Sequence, residues 1–484
     1  MTASTAAPAT NSRVGPAFGL AVLAAAIPMF MATLDNLVVT TALPVIKSEL
    51  GATLEQLQWF VNSYTLSFAT LLLTAAALGD RLGRRRVFTA GIALFTLASA
   101  ACALAAEPWI LIIARAIQGV GAAAILPLSL TLLAAAVPVA KRAAAIGIWG
   151  GVAGLGVAVG PVVGGAIVNG AAWQWIFWLN VPVGLVAIVL ANRVLRESRG
   201  PDRVLDPIGL LLAGAGVLAL VWGVVRANDD GWTAPNILAA LIGGVALLAA
   251  FAAWERRATA PLLPLRLFRS RAFTAANAAT IAFSFGMFGS VFLLAQFFQV
   301  VQGYSPLEAG VRTMPWTMVP MVVAPLAGLV VNRVGPRVLV SSGLAFQAVA
   351  LAWMAAVTTA DVAYASLVPP FVLAGLGMGL TFAPVATAVL ASVADREHGK
   401  ASGTNNTLRE IGVALGVAVL SSVFAAFGSY VPGPGFVDGL RPAVLVGAIV
   451  VAIGAVLALG LPGRPSTRPD GDVVESGAVP VLAA

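Results

Sequence analysis

The chain of 484 residues contains one cysteine, Cys102, and one histidine, His398. A single cysteine builds no disulfide framework. One His and one Cys leave neither a metal site nor a His-based nucleophilic dyad. Charge is scarce too. Asp, Glu, Lys and Arg together make up 10% of the residues, against roughly 25% in soluble domains. No metal and no cofactor are expected from this inventory.

What the chain has in abundance is apolar sequence. Hydrophobic residues make up 60% of it and the mean hydropathy is +0.95. Apolar stretches long enough to cross a bilayer recur almost end to end. Fourteen spans can be drawn, from 17–43 to 438–461, with Pro182 interrupting the one at 174–195. The expected fold class is all-α, a polytopic membrane protein with the lipid bilayer as an obligatory partner. Residues 1–12 are small and polar and Arg13 precedes the first span. That span is long and thirteen follow, so it reads as an uncleaved anchor. The tail from Pro462 is rich in Pro, Gly and Asp and is expected to be disordered.

The basic residues test this topology. Loops on the cytoplasmic side should be rich in Lys and Arg. With the N-terminus inside, 22 of the 28 basic residues fall in cytoplasmic tails and loops. The opposite side holds four: Lys47, Arg226, Arg312 and Arg441. Arg115 and Arg409 lie within spans. Both termini are therefore expected in the cytoplasm, in a multi-pass protein of the cell inner or plasma membrane. The net charge of +8 follows from topology and gives no reason to expect a nucleic-acid partner.

The two ends of the chain repeat each other weakly. LGDRLGRRRVF at 78–88 corresponds to VVNRVGPRVLV at 330–340, pairing Arg81 with Arg333 and Gly83 with Gly335. Arg142-Ala143 pairs with Lys400-Ala401, each opening a Gly-rich helix. Residues 156–165 read GVAVGPVVGG inside a span. Gly156, Gly160 and Gly164 are four apart and share one helix face, Gly165 follows, and Pro161 adds an expected bend. A bare glycine face lets another helix approach closely. The same spacing also serves plain helix packing.

The glycine segment resembles the antiporter signature in the fifth helix of major facilitator exporters. LDNLVVTTALP at 34–44, LIIARAIQGVGAA at 111–123, WQWIFWLNVPVG at 173–184, GYSPLEAG at 303–310 and GTNNTLREIGVALG at 403–416 add further matches, in order. Together with GDRLGRRR they resemble the fourteen-helix drug:proton antiporter family, the QacA/EmrB type, of that superfamily. Three departures stand out: Ala76 replaces a usual Gly, Gln174 a commoner Arg, and Glu410 a commoner Gln. The resemblance implies two six-helix bundles with two extra helices, 207–225 and 235–254, between them. The expected domains are a tail at 1–16, bundles at 17–198 and 261–461, the extra helices at 199–260, and a tail at 462–484.

An acid within the hydrocarbon is costly and is a functional candidate by default. Asp35 lies in the first span and Glu410 in the thirteenth. Asp35 and Arg115 reach a similar depth, each about 7–8 residues from the outer end of its span. The resemblance makes their helices neighbours lining a central cavity. Burial favours a neutral carboxyl and a nearby guanidinium favours a charged one, so Asp35 reads as a proton carrier tuned by Arg115. A permanent ion pair that only fixes packing is the alternative. Glu410 reads equally as a second proton site, a cation-binding group or a member of an ion pair. In the loop 79–86 the resemblance assigns a gate latch to Asp80, Arg81, Gly83, Arg84 and Arg85, although the arginines also serve topology alone. Phe285, Phe288 and Phe292 share a helix face and are expected to line an aromatic cavity able to hold lipophilic cations.

No GxxxxGK[ST] loop occurs, so ATP is not the expected energy source, and no catalytic dyad points to an enzyme. The expected function is a secondary transporter, exporting lipophilic, often cationic compounds in exchange for protons. Its partners would be a small-molecule substrate and protons. A dedicated exporter of one metabolite or host-made antibiotic is the runner-up. Oligomeric state cannot be read from the sequence.

Overall fold

The structure, a computed structural model, describes residues 16–200, 206–258, 261–429 and 431–463. The expected tails, up to residue 15 and from residue 464, lie outside the described residues. Among the described residues fifteen α-helices follow one another. They are α1 (Pro16–Leu50), α2 (Leu54–Leu82), α3 (Arg84–Ala103), α4 (Pro108–Ala136), α5 (Val139–Gly170), α6 (Trp175–Trp178), α7 (Asn180–Val194) and α8 (Pro207–Asp230). After them come α9 (Pro235–Glu255), α10 (Arg271–Val300), α11 (Pro306–Val334), α12 (Pro336–Val357), α13 (Tyr364–Ala391), α14 (His398–Phe427) and α15 (Pro434–Leu457).

Local sequence explains the breaks. Thr53 and Gln56 form a capping box at the start of α2, and Ser305 and Glu308 form one at α11. The α2–α3 and α11–α12 corners both turn on a glycine with positive φ, Gly83 at 115° and Gly335 at 92°. Residues with a side chain rarely adopt that region, so the repeat read at these two positions is also a repeat of backbone geometry. The span expected at 174–195 is the short α6 followed by α7. Pro182 sits in the first turn of α7, where its missing N–H would have no helical acceptor. Thirteen helical segments among the described residues are long and apolar enough to cross a membrane. The remaining expected span, 143–168, falls inside the unbroken 32-residue α5.

Helices α1–α7 pack around Phe88, Phe95 and Trp149 toward one end and Phe60, Trp173 and Phe177 toward the other. Helices α10–α15 pack around Phe297, Phe298, Trp316 and Phe371. We call these groups the first and second halves. They meet along two seams. On one, α5 packs against α11. On the other, α2 meets α14 and α8 lies across both. Val217 and Val221 of α8 fill the groove between Leu66 and Ala69 of α2 and Ile411 and Ala414 of α14. The face carrying the α2–α3 corner and the starts of α5 and α14 is the basic face.

Candidate functional site

Asp35 of α1 and Arg115 of α4 meet inside the first half, with both side chains fully enclosed. Arg115 Nη1 donates to Asp35 Oδ2 at 2.5 Å. Asp35 Oδ1 accepts from Gln118 Nε2 at 2.9 Å and from Asn180 Nδ2 at 2.7 Å. Ser99 Oγ accepts from both amides, at 2.7 and 3.3 Å. Arg115 also donates Nη1 to Gln118 Oε1 at 2.7 Å and Nε to the Phe60 carbonyl at 3.0 Å. Its guanidinium carbon lies 4.3 Å from the centre of the Tyr64 ring, within cation–π reach. Five helices, α1, α2, α3, α4 and α7, thus converge on one buried ion pair and its hydrogen-bonded shell. The pair lies among the helices of this half rather than on a cavity wall. A buried pair costs several kcal/mol to desolvate, and losing one partner typically costs about 3–5 kcal/mol.

The second half has no such centre at the corresponding place. An offset of 252 carries Tyr64 onto Trp316, and one of 256 carries Arg115 onto Phe371. The packing supports this register. A Cβ on Gly119 would strike the Tyr64 carbonyl, and one on Gly375 would strike the Trp316 carbonyl at 2.6 Å. Trp316 stacks on Phe371 with ring centroids 5.9 Å apart. A cation–π pair in one half is an aromatic pair in the other. An offset of 252 from Asp35 falls on Met287, which is buried in the apolar core.

The glycines of α5 divide between two neighbours. A Cβ on Gly156 would lie 3.2 Å from Thr33 Cβ, and one on Gly160 2.7 Å from Leu37 Cβ. One on Gly164 would strike Thr41 Oγ1 and come within 2.9 Å of the Val38 carbonyl. All three contacts are with α1. Gly165 instead faces Leu307 of α11 at 3.1 Å, and nearer the basic face Gly147 meets the Ala324 carbonyl of α11 at 2.7 Å. So α5 is pressed against α1 on one side and across the seam against α11 on another. The backbone is helical through Pro161, whose side chain lies outside the described ones.

At the basic face the halves are tied together. Asp80 Oδ1 accepts from Arg84 Nε at 2.7 Å, and Arg84 Nη2 reaches the Arg396 carbonyl of the other half at 3.1 Å. A Cβ on Gly399, in the first turn of α14, would collide with the Asp80 carboxylate. Arg142 grips Asp395 with two hydrogen bonds of 3.2 and 3.0 Å. Ser402 Oγ donates to the Pro127 carbonyl at 3.0 Å. Gly83 leaves room for Glu197, whose carboxylate accepts the Arg85 and Arg86 backbone N–H groups at 3.0 and 3.2 Å. Arg81 is exposed. In the second copy Asn332 and Arg333 are exposed, so these ties belong to one copy of the repeat.

Above this closure lies a seam cavity of about 30 Å³. Trp149 of α5, Phe283 and Thr280 of α10, Phe382 and Thr381 of α13, and Asn405, Asn406 and Arg409 of α14 line it. The face expected to line a cavity lies elsewhere. Phe285 and Phe288 pack with the second-half core, and Phe292 is 41% exposed. Glu410 Oε1 accepts from Arg409 Nε and Nη2 at 3.2 and 2.9 Å, an ion pair between consecutive residues. Sequence reasoning did not single out Gln118, Ser99 and Asn180. Gln118 has a usable signal, since it stands one turn from Arg115 on the same face. Ser99 and Asn180 have none, because only the packing of α3 and α7 brings them to Asp35.

Comparison with known proteins agrees with this geometry. The family model described as Major Facilitator Superfamily matches residues 25–417. The tetracenomycin C resistance and export protein of Streptomyces glaucescens is 35% identical over 406 residues, 84% of this chain and 75% of its own. The methylenomycin A resistance protein of Streptomyces coelicolor is 34% identical over 468 residues, 95% of this chain and 96% of its own. The multidrug efflux pump LfrA of Mycolicibacterium smegmatis is 34% identical over 453 residues, 93% and 88%. Among solved structures, the proton:xylose symporter XylE shares the fold with a TM-score of 0.65 at 15% identity, over 91% of this chain and 94% of that one. The human organic anion transporter MFSD10 does so at 0.63 and 14%, over 92% and 100%. From two helical halves, a seam between them and a family match across most of its length, the chain belongs to the major facilitator superfamily of membrane transporters.

Proposed function

We propose that the protein is a fourteen-helix drug:proton antiporter that exports drugs or antibiotics by alternating access, with both termini and the basic face in the cytoplasm. The relatives' names, resistance and export proteins for tetracenomycin C and methylenomycin A and a multidrug efflux pump, support the cargo class. The observation that carries the coupling is the enclosed Asp35–Arg115 pair, present in one half and replaced by aromatic packing in the other.

The cycle follows from where the contacts lie. With the cytoplasmic face closed, a proton arriving from outside neutralises Asp35. Arg115 is then an uncompensated buried cation, and the hydrogen bonds from Gln118 and Asn180 lose a charged acceptor. α1 shifts relative to α3, α4 and α7. Because α1 bears on the Gly156–Gly160–Gly164 face and α11 on Gly147 and Gly165, α5 passes the shift across the seam. The Arg142–Asp395 and Arg84–Arg396 ties break, and substrate enters from the cytoplasm. Loss of the proton to the cytoplasm re-forms the pair and closes that face. Proton and substrate occupy separate places, so coupling runs through helix packing rather than direct displacement.

The test is proton-gradient-driven efflux from proteoliposomes, with substrate-induced proton release measured in detergent. Asp35→Asn carries no titrating group and should abolish both while the protein stays folded. Arg115→Lys keeps the charge without the planar fork and should be intermediate. Parental proton release from Asp35→Asn would move the carrier elsewhere, with Glu410 the next residue to test. A dedicated antibiotic exporter is the second reading, favoured by the near end-to-end match to the methylenomycin A resistance protein. A growth screen across many toxic compounds separates the two.

A further inference from the structure

We infer that the seam cavity is a collapsed slot for flat aromatic compounds that are neutral or anionic, with Arg409 selecting their charge. The inference rests on the transport reading only in taking this cavity as a place where substrate binds.

The slot is made by one ring from each half. Trp149 and Phe382 stack across the seam with centroids 6.1 Å apart and planes 21° from parallel. Phe283 closes one edge, 6.3 Å from Phe382 and tilted by 54°. Trp149 is pinned by a 3.1 Å hydrogen bond from its Nε1 to Ser129 Oγ. A third ring between two others needs them about 7–8 Å apart, two carbon contact layers of 3.5–4.0 Å. Parting the halves at this height opens that gap. The present cavity of about 30 Å³ has room for about one water, so the rings now shield each other. A planar guest exchanges one stacking contact for two.

The lining of the slot carries one charged side chain, and its ion-pair partner stands behind it. Arg409 lines it, whereas Glu410 is turned about 100° around the helix and takes up two of the Arg409 nitrogens. Asp35 is enclosed in the first half with Arg115. A guest carboxylate or phenolate meets a guanidinium fork, which binds such groups through charge-assisted hydrogen bonds. A guest ammonium meets a like charge. Asn405 Nδ2 already donates to Asn277 Oδ1 and Thr280 Oγ1, at 3.1 and 2.8 Å, and Asn406 Nδ2 to the Ser402 carbonyl at 2.9 Å. What these amides offer a guest is carbonyl oxygen, an acceptor for hydroxyl groups.

The test uses two matched planar probes, anthraquinone-2-carboxylate and 2-(aminomethyl)anthraquinone, in equilibrium dialysis against the purified full-length protein in detergent. The carboxylate should bind at least about tenfold more tightly, the scale of a charge-assisted contact. Arg409→Lys should keep that preference. Arg409→Gln should lose it and, by freeing Glu410, turn it toward the amine. The double variant Arg409→Gln/Glu410→Gln should bind both probes alike. Phe382→Ala should weaken both probes about equally while leaving their ratio unchanged. Tighter binding of the amine to the parent protein, no binding of either probe, or an unchanged ratio in Arg409→Gln overturns the inference. Binding needs no proton gradient, so failed proton coupling leaves this ratio standing. A wrong ratio beside intact proton-driven efflux refutes the slot alone.

Discussion

Substituting alanine at Gly156, Gly160 and Gly164 in turn should produce a graded response, and the structure sets its order. Carbon atoms rest at about 3.5–4.0 Å. At Gly156 the added methyl would lie 3.2 Å from Thr33 Cβ and 3.3 Å from the Phe30 carbonyl, so a shift of a few tenths of an ångström relieves it. At Gly160 it would lie 2.7 Å from Leu37 Cβ. Leu37 Cβ is fixed to its backbone, so α1 and α5 must separate locally by about 1 Å. At Gly164 the methyl meets Thr41 Oγ1 first. That hydroxyl can rotate away only by giving up its 2.7 Å hydrogen bond to the Val38 carbonyl. The Val38 carbonyl itself, 2.9 Å off, belongs to the helix backbone and cannot turn aside. We expect a cost below about 0.5 kcal/mol at Gly156 and about 1–3 kcal/mol at each of the other two, the usual scale of overpacking. The assay is thermal melting in detergent beside efflux from proteoliposomes at matched protein. Gly156→Ala should melt within about 1 °C of the parent, and Gly160→Ala and Gly164→Ala several degrees below it. Parental melting and efflux in both of the latter, with a defect in Gly156→Ala, would refute the contact surface.

Two further outcomes follow from the basic face and from topology. Arg142→Ala should loosen the closed basic face, read as faster thiol labelling of a cysteine placed at Ser402, against a low background because Cys102 is buried; unchanged labelling would make the Arg142–Asp395 tie incidental. Reporter fusions at Arg199 and Gly231 should report opposite sides of the membrane, and the same side at both would overturn the orientation.

Membrane residence, helix positions and the doubled architecture were legible because the bilayer enforces them. A span must be long, apolar and internally hydrogen-bonded, and those demands leave a linear trace. The corners at Gly83 and Gly335 were legible for a similar reason, since positive φ selects glycine wherever the chain goes next. The face of Phe285, Phe288 and Phe292 shows the limit of such reading. Periodicity puts three rings on one side of α10 but does not say what that side touches, and the structure gives Phe283 to the seam instead.

The sequence by itself determined that the chain is a bundle of membrane helices, that Asp35 and Arg115 lie at like depth, and that Gly156, Gly160 and Gly164 share a face. Each is a property of one segment, or of distances counted along one axis. Tertiary structure alone decided the partners. It seated Asp35 within a shell drawn from four other helices, away from the seam. It turned Gly165 toward α11 while its neighbours met α1, and it set Trp149 of one half against Phe382 of the other. Such contacts join residues far apart in the chain through helix azimuth and tilt. These are fixed only when all the packing surfaces are satisfied together, and no single segment carries them.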